Sequence, residues 1–373
     1  MDAVEVVRRR LRNQRLVAPK LDRPADVVRW LGAVQAQDYL GSLWGIGLRT
    51  TSAREVDVER AVEERAIVRT WPMRGTLHFV AAEDVRWMLR LLAPRVIARS
   101  AGRRRQLGLD ATTFTKSRSR LERALGDGGV LTRPEVYRVL ERSGIVTTEQ
   151  RGIHILGHLA MQGVLCLGPR RGRQPTFTLL EQWLPPAPLL DRDEALGELA
   201  LRYFTGHGPA TVQDFAWWSG LPLGDARRGL DVAGKRLTSD AVGDTQYWSA
   251  RSPVTAGRVS AAHLLPAYDE STVAYFDRSA FLDATHAART KNGIFSPVVL
   301  VAGRIAGTWR RRTARDRVVV TTDLFERPSG PLARLLDRAL ARYGAFLGLA
   351  ASFDLSASFE GRPSARKSVR SGR

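Results

Sequence analysis

The stretch RGIHILGHLAMQGVLCLGPRRGRQPTFTLLEQWL, Arg151 to Leu184, decides how the rest of the chain is read. Its first part spaces apolar residues as a helix does, and GVLCLG (Gly163–Gly168) is then a continuous apolar run of strand length. PRRGRQP (Pro169–Pro175) breaks the run with a glycine that allows a tight tip, and TFTLLEQWL returns as a second strand. Upstream, SRLERALGDGGVLTRPEVYRVLERSGI (Ser119–Ile145) supplies further helices, with a start at Thr132 backed by Pro134 and Glu135. Helices followed by a two-stranded hairpin are the layout of a winged-helix unit, a helix-turn-helix variant.

The same order recurs on both sides. An opening helix, RPADVVRWLGAVQAQDY (Arg23–Tyr39) and SAREVDVERAVEERAIVRTW (Ser52–Trp71) precede PMRGTLHFVAAEDV, where Met73-Arg74-Gly75 is the turn of a hairpin. EALGELALRYFTGHGPATVQDFAWWSGLPLGDARRGLDVAG (Glu194–Gly234) repeats the helices with a start at Thr211, and KRLTSDAVGDTQYWSA pairs two short strands about Gly243-Asp244. The sequence therefore predicts an α+β chain with three tandem winged-helix units, at 1–95, 96–190 (with a basic linker) and 193–255. Beyond Ser260, HLLPAYDESTVAYFDR, GIFSPVVLVAGRIAGTWRRR and RDRVVVTTDLFE predict a small β-rich domain at 256–328, either an open sheet or a barrel. A C-terminal amphipathic helix and following strand are expected in 329–355. The tail 356–373 is predicted to be disordered: its last stretch holds Arg362, Arg366, Lys367, Arg370 and Arg373 with no acid.

At 373 residues, 44% hydrophobic, the chain has the length for a real core. It contains no run of 18 apolar residues, and MDAVEVVRRRLRNQRL lacks the apolar centre of a signal peptide, so a soluble cytoplasmic protein without a membrane partner is expected. The single cysteine, Cys166 within GVLCLG, excludes an internal disulfide and a cysteine zinc cluster and reads as a buried, inert thiol. Fifty-eight Lys and Arg against 38 Asp and Glu give a net charge of +20, which points to a polyanion, double-stranded DNA before others. A GC-rich coding bias swaps Arg for Lys but does not create such an excess. The excess also clusters: Arg95–Arg123 is interrupted only by Asp110 and Glu122, and GPRRGRQP has no acid. Arg74, Arg103, Arg104, Arg105, Arg170, Arg171, Arg173, Arg310, Arg311 and Arg312 are the phosphate-binding candidates. No heptad helix offers a dimer seam, so a monomer is expected.

AVQAQDY (Ala33–Tyr39) carries two glutamines, Gln35 and Gln37, directly after an amphipathic helix. On a helix they would point to different sides; on an extended segment they share one face. Spacing alone leaves both readings open; the expectation is that the chain leaves helical geometry around Gln35, so that both amides face one channel from a short extended or turn segment.

VQAQD, RTWPMRGTLHFV, LLPAYDESTVAY and NGIFSPVVLVAGRIAGTWRRR, in this order and spacing, resemble the tandem winged-helix bacterial DNA glycosylases. That family includes the azinomycin-resistance glycosylase and related interstrand-crosslink glycosylases. The likeness runs to about Leu349 and leaves the tail outside. It implies that Gln35 and Gln37 are catalytic, since the family's Gln-x-Gln signature falls on them. A sister branch has Asp in the second place. Chemistry makes two amides sufficient: a purine alkylated at N7 or N3 is already a cation, so its glycosidic bond is weak without a protonating acid. A water must then be held below C1′ while an oxocarbenium-like sugar forms, and side-chain carbonyls can do both.

Asp38 is either an extra carboxylate or a turn-former, and His78 either orients the glutamine segment or is structural. Trp71 and Met73 are expected to back that segment. His154 and His158 have a zinc-like spacing, but no cysteine or carboxylate completes a metal site. AYDES (Ala267–Ser271) reads as a structural network. No lysine stands in VQAQD or WPMRGTLH, which predicts a monofunctional enzyme, and no nucleotide-binding glycine motif implies a cofactor. The alternatives are a DNA-binding regulator or architectural protein without chemistry, and a protein-interaction scaffold.

Overall fold

The computed structural model describes residues 1–251, 261–293 and 295–354; the tail expected at 356–373 lies outside them, as does the start of the β-rich region. Asp2 accepts the Glu5 N–H and opens α1 (Ala3–Asn13). Pro24 begins α2 (Pro24–Leu31), and Gly32, at φ 76°, ends it. The chain then runs extended through β1 (Val34–Gln35), α3 (Tyr39–Gly47), α4 (Glu55–Glu63) and the hairpin β2 (Ile67–Met73) with β3 (Thr76–Ala81). Arg74 (φ 56°) and Gly75 (φ 77°) both take the left-handed conformation that a two-residue hairpin turn requires.

Helices α5 (Val85–Arg99) and α6 (Ala101–Gln106) lead to α7 (Ala111–Ala124), β4 (Leu131–Thr132), α8 (Arg133–Glu141), α9 (Arg151–Met161), β5 (Leu165–Arg171), β6 (Gln174–Leu179) and the short α10 (Leu180–Trp183). Thr132 and Glu135 cap α8 reciprocally. The next run is α11 (Arg192–Gly206), a bridge between Ala210 and Trp248, α12 (Val212–Ser219) capped by Thr211, α13 (Leu223–Ala233), and the hairpin β7 (Leu237–Val242) with β8 (Thr245–Ala250). Helix, short bridging segment, two helices and hairpin thus follow one another three times.

Two features were not anticipated. The bridging strands β1 and β4 have two residues each, too short to show an alternating pattern. The first two hairpins also fuse: Arg69 pairs with Leu167, giving one six-stranded sheet in the order β1-β3-β2-β5-β6-β4. Its two halves mirror each other. Their cores stay separate, since Val136, Leu140, Ile155 and Leu165 form one apolar cluster, whereas Val28, Phe79, Trp218 and Leu264 belong to another.

The last third holds β9 (Ala262–Leu265), α14 (Glu270–Val273), β10 (Val298–Val301), β11 (Arg304–Thr313), β12 (Arg317–Leu324), α15 (Gly330–Leu347) and β13 (Ala350–Phe353). The barrel alternative is corrected here. Among the described residues the strands form an open sheet, β13-β12-β11-β10-β9, in which only β12 and β13 run parallel. Closure is unnecessary because α15 lays Leu336, Leu340, Tyr343 and Phe346 into the core, with Tyr343 edge-on to both Trp44 and Trp309.

A buried ion pair clamps the first helices to this last region. Arg49 and Asp269, each 1% exposed, meet through two hydrogen bonds of 2.9 and 2.8 Å, and Gln14 Oε1 accepts a further Arg49 N–H at 2.9 Å. Asp269 also caps α14. Arg49→Ala leaves a buried carboxylate unpaired and is expected to lower the unfolding free energy by about 3–5 kcal/mol in urea titrations. A loss below about 1 kcal/mol would refute the clamp.

Two histidines are buried on strands, His78 on β3 and His263 on β9. Burial, then the neighbouring Arg74 for His78 and Lys20 for His263, pushes each pKa from 6.5 down to about 3. Between these values the unfolded chain binds protons that the folded chain refuses, so stability falls as the solution is acidified. From pH 7 to 5 each ring should remove about 2 kcal/mol, read as a falling urea midpoint. A midpoint that does not move over this interval would contradict the burial of both rings.

Candidate active site

The glutamine segment lies between α2 and α3 as extended chain, not as a helix end. Val34 and Gln35 pair antiparallel with Phe79 and His78, and the Ala36 N–H donates to the Leu77 carbonyl at 2.7 Å. Arg69 donates from Nε and Nη2 to the Ala36 carbonyl at 3.1 and 2.7 Å. This fork fixes the peptide between the two glutamines.

The expectation that both amides face one channel is corrected: they are placed unequally, because Arg74 draws the Gln35 side chain inward. Gln35 is 8% exposed, and its Oε1 accepts a 2.8 Å hydrogen bond from Arg74 Nη2. The same Nη2 donates to His78 Nε2 at 3.1 Å, while His78 Nδ1–H donates to the Thr76 carbonyl at 3.0 Å, which fixes the neutral tautomer. Arg74 Nη1 donates to the Trp218 carbonyl at 2.6 Å. Gln37 is exposed, and its Oε1 accepts only the Leu77 N–H at 3.3 Å, so most of its hydrogen-bonding capacity faces solvent.

Below the segment sits Glu270, 1% exposed. Its Oε1 accepts the Gln35 backbone N–H at 2.9 Å; its Oε2 accepts Trp218 Nε1–H at 2.9 Å and lies 3.3 Å from His207 Nε2. Burial opposes the charge, yet His207, the Gln35 N–H and Arg74 together hold the carboxyl below its ordinary range. The site therefore draws on β1, the β2–β3 turn, the end of α11, α12 and the start of α14.

Of the supporting residues, Asp38 caps α3 by accepting the Gly41 N–H at 3.2 Å. Met73 shares the core of Val34 and Ala36, but Trp71 packs into the second cluster, against α9. The backing expected from Trp71 comes from Arg69 instead, because Trp71 is drawn to the apolar face that the fused sheet creates. His158 is buried against Phe114, ring centroids 3.8 Å apart, and accepts from Arg104 at 2.9 Å. Among the described residues no group of three or more His, Cys, Asp and Glu side chains is placed to hold a metal ion.

The phosphate candidates divide. Arg74 is committed to Gln35, His78 and Trp218 and is not available to a phosphate, a correction to its assignment. Arg104 turns inward to His158 and the Ile97 carbonyl. Arg103 meets Gln106 and Gln150, and Arg171 pairs with Glu135 at 3.1 Å. Arg311 bonds the Tyr343 hydroxyl. Alternation along β11 separates it from Arg310 and Arg312, which are exposed, as are Arg105 and Arg173. Arg170 stacks on Tyr39, 4.7 Å from the ring centre, which brings the second hairpin to the start of α3, two residues from Gln37.

Glu270, His207, Trp218 and Arg69 were not picked out as site residues. Only the carboxylates of AYDES gave a hint, and their partners lie too far along the chain for spacing to reveal.

Comparison with known proteins identifies the family of the chain. The family model described as DNA glycosylase AlkZ-like matches residues 28–346. The interstrand DNA cross-link repair glycosylase of Streptomyces sahachiroi is 29% identical over 354 residues, covering 87% of this chain and 90% of that protein. The solved structure of the Streptomyces sahachiroi DNA glycosylase AlkZ superposes with a TM-score of 0.77 at 25% identity, covering 95% of this chain and all of that one. With most of its length matched and its mixed α and β fold shared, this chain belongs to the AlkZ-like family of DNA glycosylases.

Proposed function

We propose that the protein is a monofunctional glycosylase that releases cationic N7- or N3-alkylated purines from double-stranded DNA, interstrand crosslinks among them, on a scaffold of three winged-helix units. The observation that carries the reading is the inequality of the two glutamines. Gln37, exposed and with a nearly free carboxamide, holds the attacking water by its Oε1. Gln35, buried with its Oε1 taken by Arg74, holds the segment in place. As the C1′–N bond breaks, its electron pair neutralises the purine cation and the base departs. The water oxygen bonds to C1′ on the opposite face and releases its proton to solvent. No carboxylic acid is needed for the leaving group, and neutral, undamaged purines are expected to be poor substrates. The crosslink repair glycosylase of Streptomyces sahachiroi supports extending the substrate range to crosslinks.

Gln37→Ala is expected to slow single-turnover release of N7-methylguanine from duplex DNA by about two orders of magnitude or more. Affinity for the damaged duplex should hold within about threefold, because the lost contact matters in the transition state. Excision by this variant at the wild-type rate would show that the chemistry does not depend on Gln37.

Exposure ranks the arginines. Arg105→Ala, Arg173→Ala, Arg310→Ala and Arg312→Ala should each lower the slope of log affinity against log salt by about 0.9 if that residue meets a phosphate. Arg104→Ala, which removes an inward contact, should leave the slope alone. Equal slopes for all five variants and the wild type would remove these groups from the DNA face.

A further inference from the structure

Four hydrogen bonds close a ring around the Gln35 backbone. Glu270 Oε1 accepts from Gln35 N at 2.9 Å; Gln35 Oε1 accepts from Arg74 at 2.8 Å; Arg74 donates to the Trp218 carbonyl at 2.6 Å; and Trp218 Nε1 donates to Glu270 Oε2 at 2.9 Å. Each member comes from a different element, and only the carboxylate supplies a negative charge. Half-buried Arg74 has Glu270 as the acidic group supporting its charge. Three donors, from Gln35, Trp218 and His207, converge on two carboxylate oxygens. An amide there would turn an N–H toward one of those donors and leave both unsatisfied. The backbone also shows that this carboxylate is delivered under strain. Tyr268, two residues before it, stands at φ 60°, a conformation that a tyrosine adopts only when its surroundings force it. With Tyr268 so turned, Asp269 faces Arg49 and Glu270 faces Gln35, successive carboxylates serving different buried partners.

We propose that Glu270 is a positioning residue for excision: through the Gln35 backbone and through Arg74 it withdraws the Gln35 carbonyl from the substrate and sets Gln37 as the sole acceptor for the water. The assignment rests on the water-holding reading of Gln37. It predicts an effect on the nucleophile and not only on the rate. A tightly held water excludes methanol, whereas a loosened site admits it, and the two leave different sugars at C1′, a hemiacetal or a methyl glycoside.

The test is single-turnover excision of N7-methylguanine from duplex DNA in buffer containing methanol, with the product strand weighed by mass spectrometry. Glu270→Gln should excise about tenfold or more slowly than wild type, bind the duplex within about twofold, and raise the methyl glycoside fraction several-fold. Glu270→Asp, which keeps the charge but not the reach, should fall between. Arg74→Lys, whose single ammonium replaces the fork that reaches Gln35 and Trp218, should move the same fraction and serves if the Glu270 variants do not fold. An unchanged fraction in Arg74→Lys and in whichever Glu270 variants fold overturns the assignment, even if rates drop, since that pattern is what simple loss of structure gives. If instead Gln37→Ala excises normally, the water reading itself has failed and takes the assignment with it.

Discussion

A carboxylate taken out of water must be met by donors, and in this molecule that requirement ties together distant parts of the chain. Glu270 is buried under the glutamine segment and is satisfied by a backbone N–H from β1, an indole N–H from α12 and a ring nitrogen at the end of α11. None of these groups is near it in sequence. The first helices, the third repeat and the C-terminal sheet must all be in place before the charge is compensated. The neighbouring Asp269 imposes the same condition through Arg49 and Gln14. Assembly of the molecule and assembly of its site are thus one event.

Charge elsewhere is used differently. The net +20 suggests a uniformly basic binding face, but the structure spends many arginines inside. Arg10 lies on the Tyr275 ring and donates to the Pro209 carbonyl at 2.8 Å; Arg69 and Arg74 serve the glutamine segment; Arg342 donates to the carbonyls at the end of α3. The guanidinium group suits this work, since its planar fork can satisfy two carbonyls at once and stays charged when buried. The cations left facing solvent are those on exposed edges and hairpin tips.

How much was legible in the sequence follows from the range of each interaction. The helix starts at Thr132 and Thr211, the Arg74-Gly75 turn and the hairpin at Gly172 are set by neighbours within a few residues, and propensity and spacing reveal them. The extended path at Gln35 was one of two readings, because period alone cannot separate two residues of strand from a helix end. The fused sheet was not legible: the two strands meet at Arg69 of β2 and Leu167 of β5, and nothing local says which edge a buried strand will meet. The choice between open sheet and barrel was not legible because β-rich patterning does not show whether a helix will cover the sheet. The position of Trp71 was hidden with the fused sheet whose apolar face it joins, and Glu270 is recognised only by partners distant in sequence.

The joint between β2 and β5 has a consequence for how the protein is made. When the first repeat leaves the ribosome, β2 is an edge seven residues long, buried throughout in the finished protein and still without the strand that meets its far side. That partner is translated only after α5 to α9 have been made. The nascent chain therefore passes through a state with a sticky sheet edge, the kind that pairs with another copy or calls for a chaperone. The strongly basic helices between the two strands delay the cure, yet their like charges keep neighbouring nascent chains apart while it is pending.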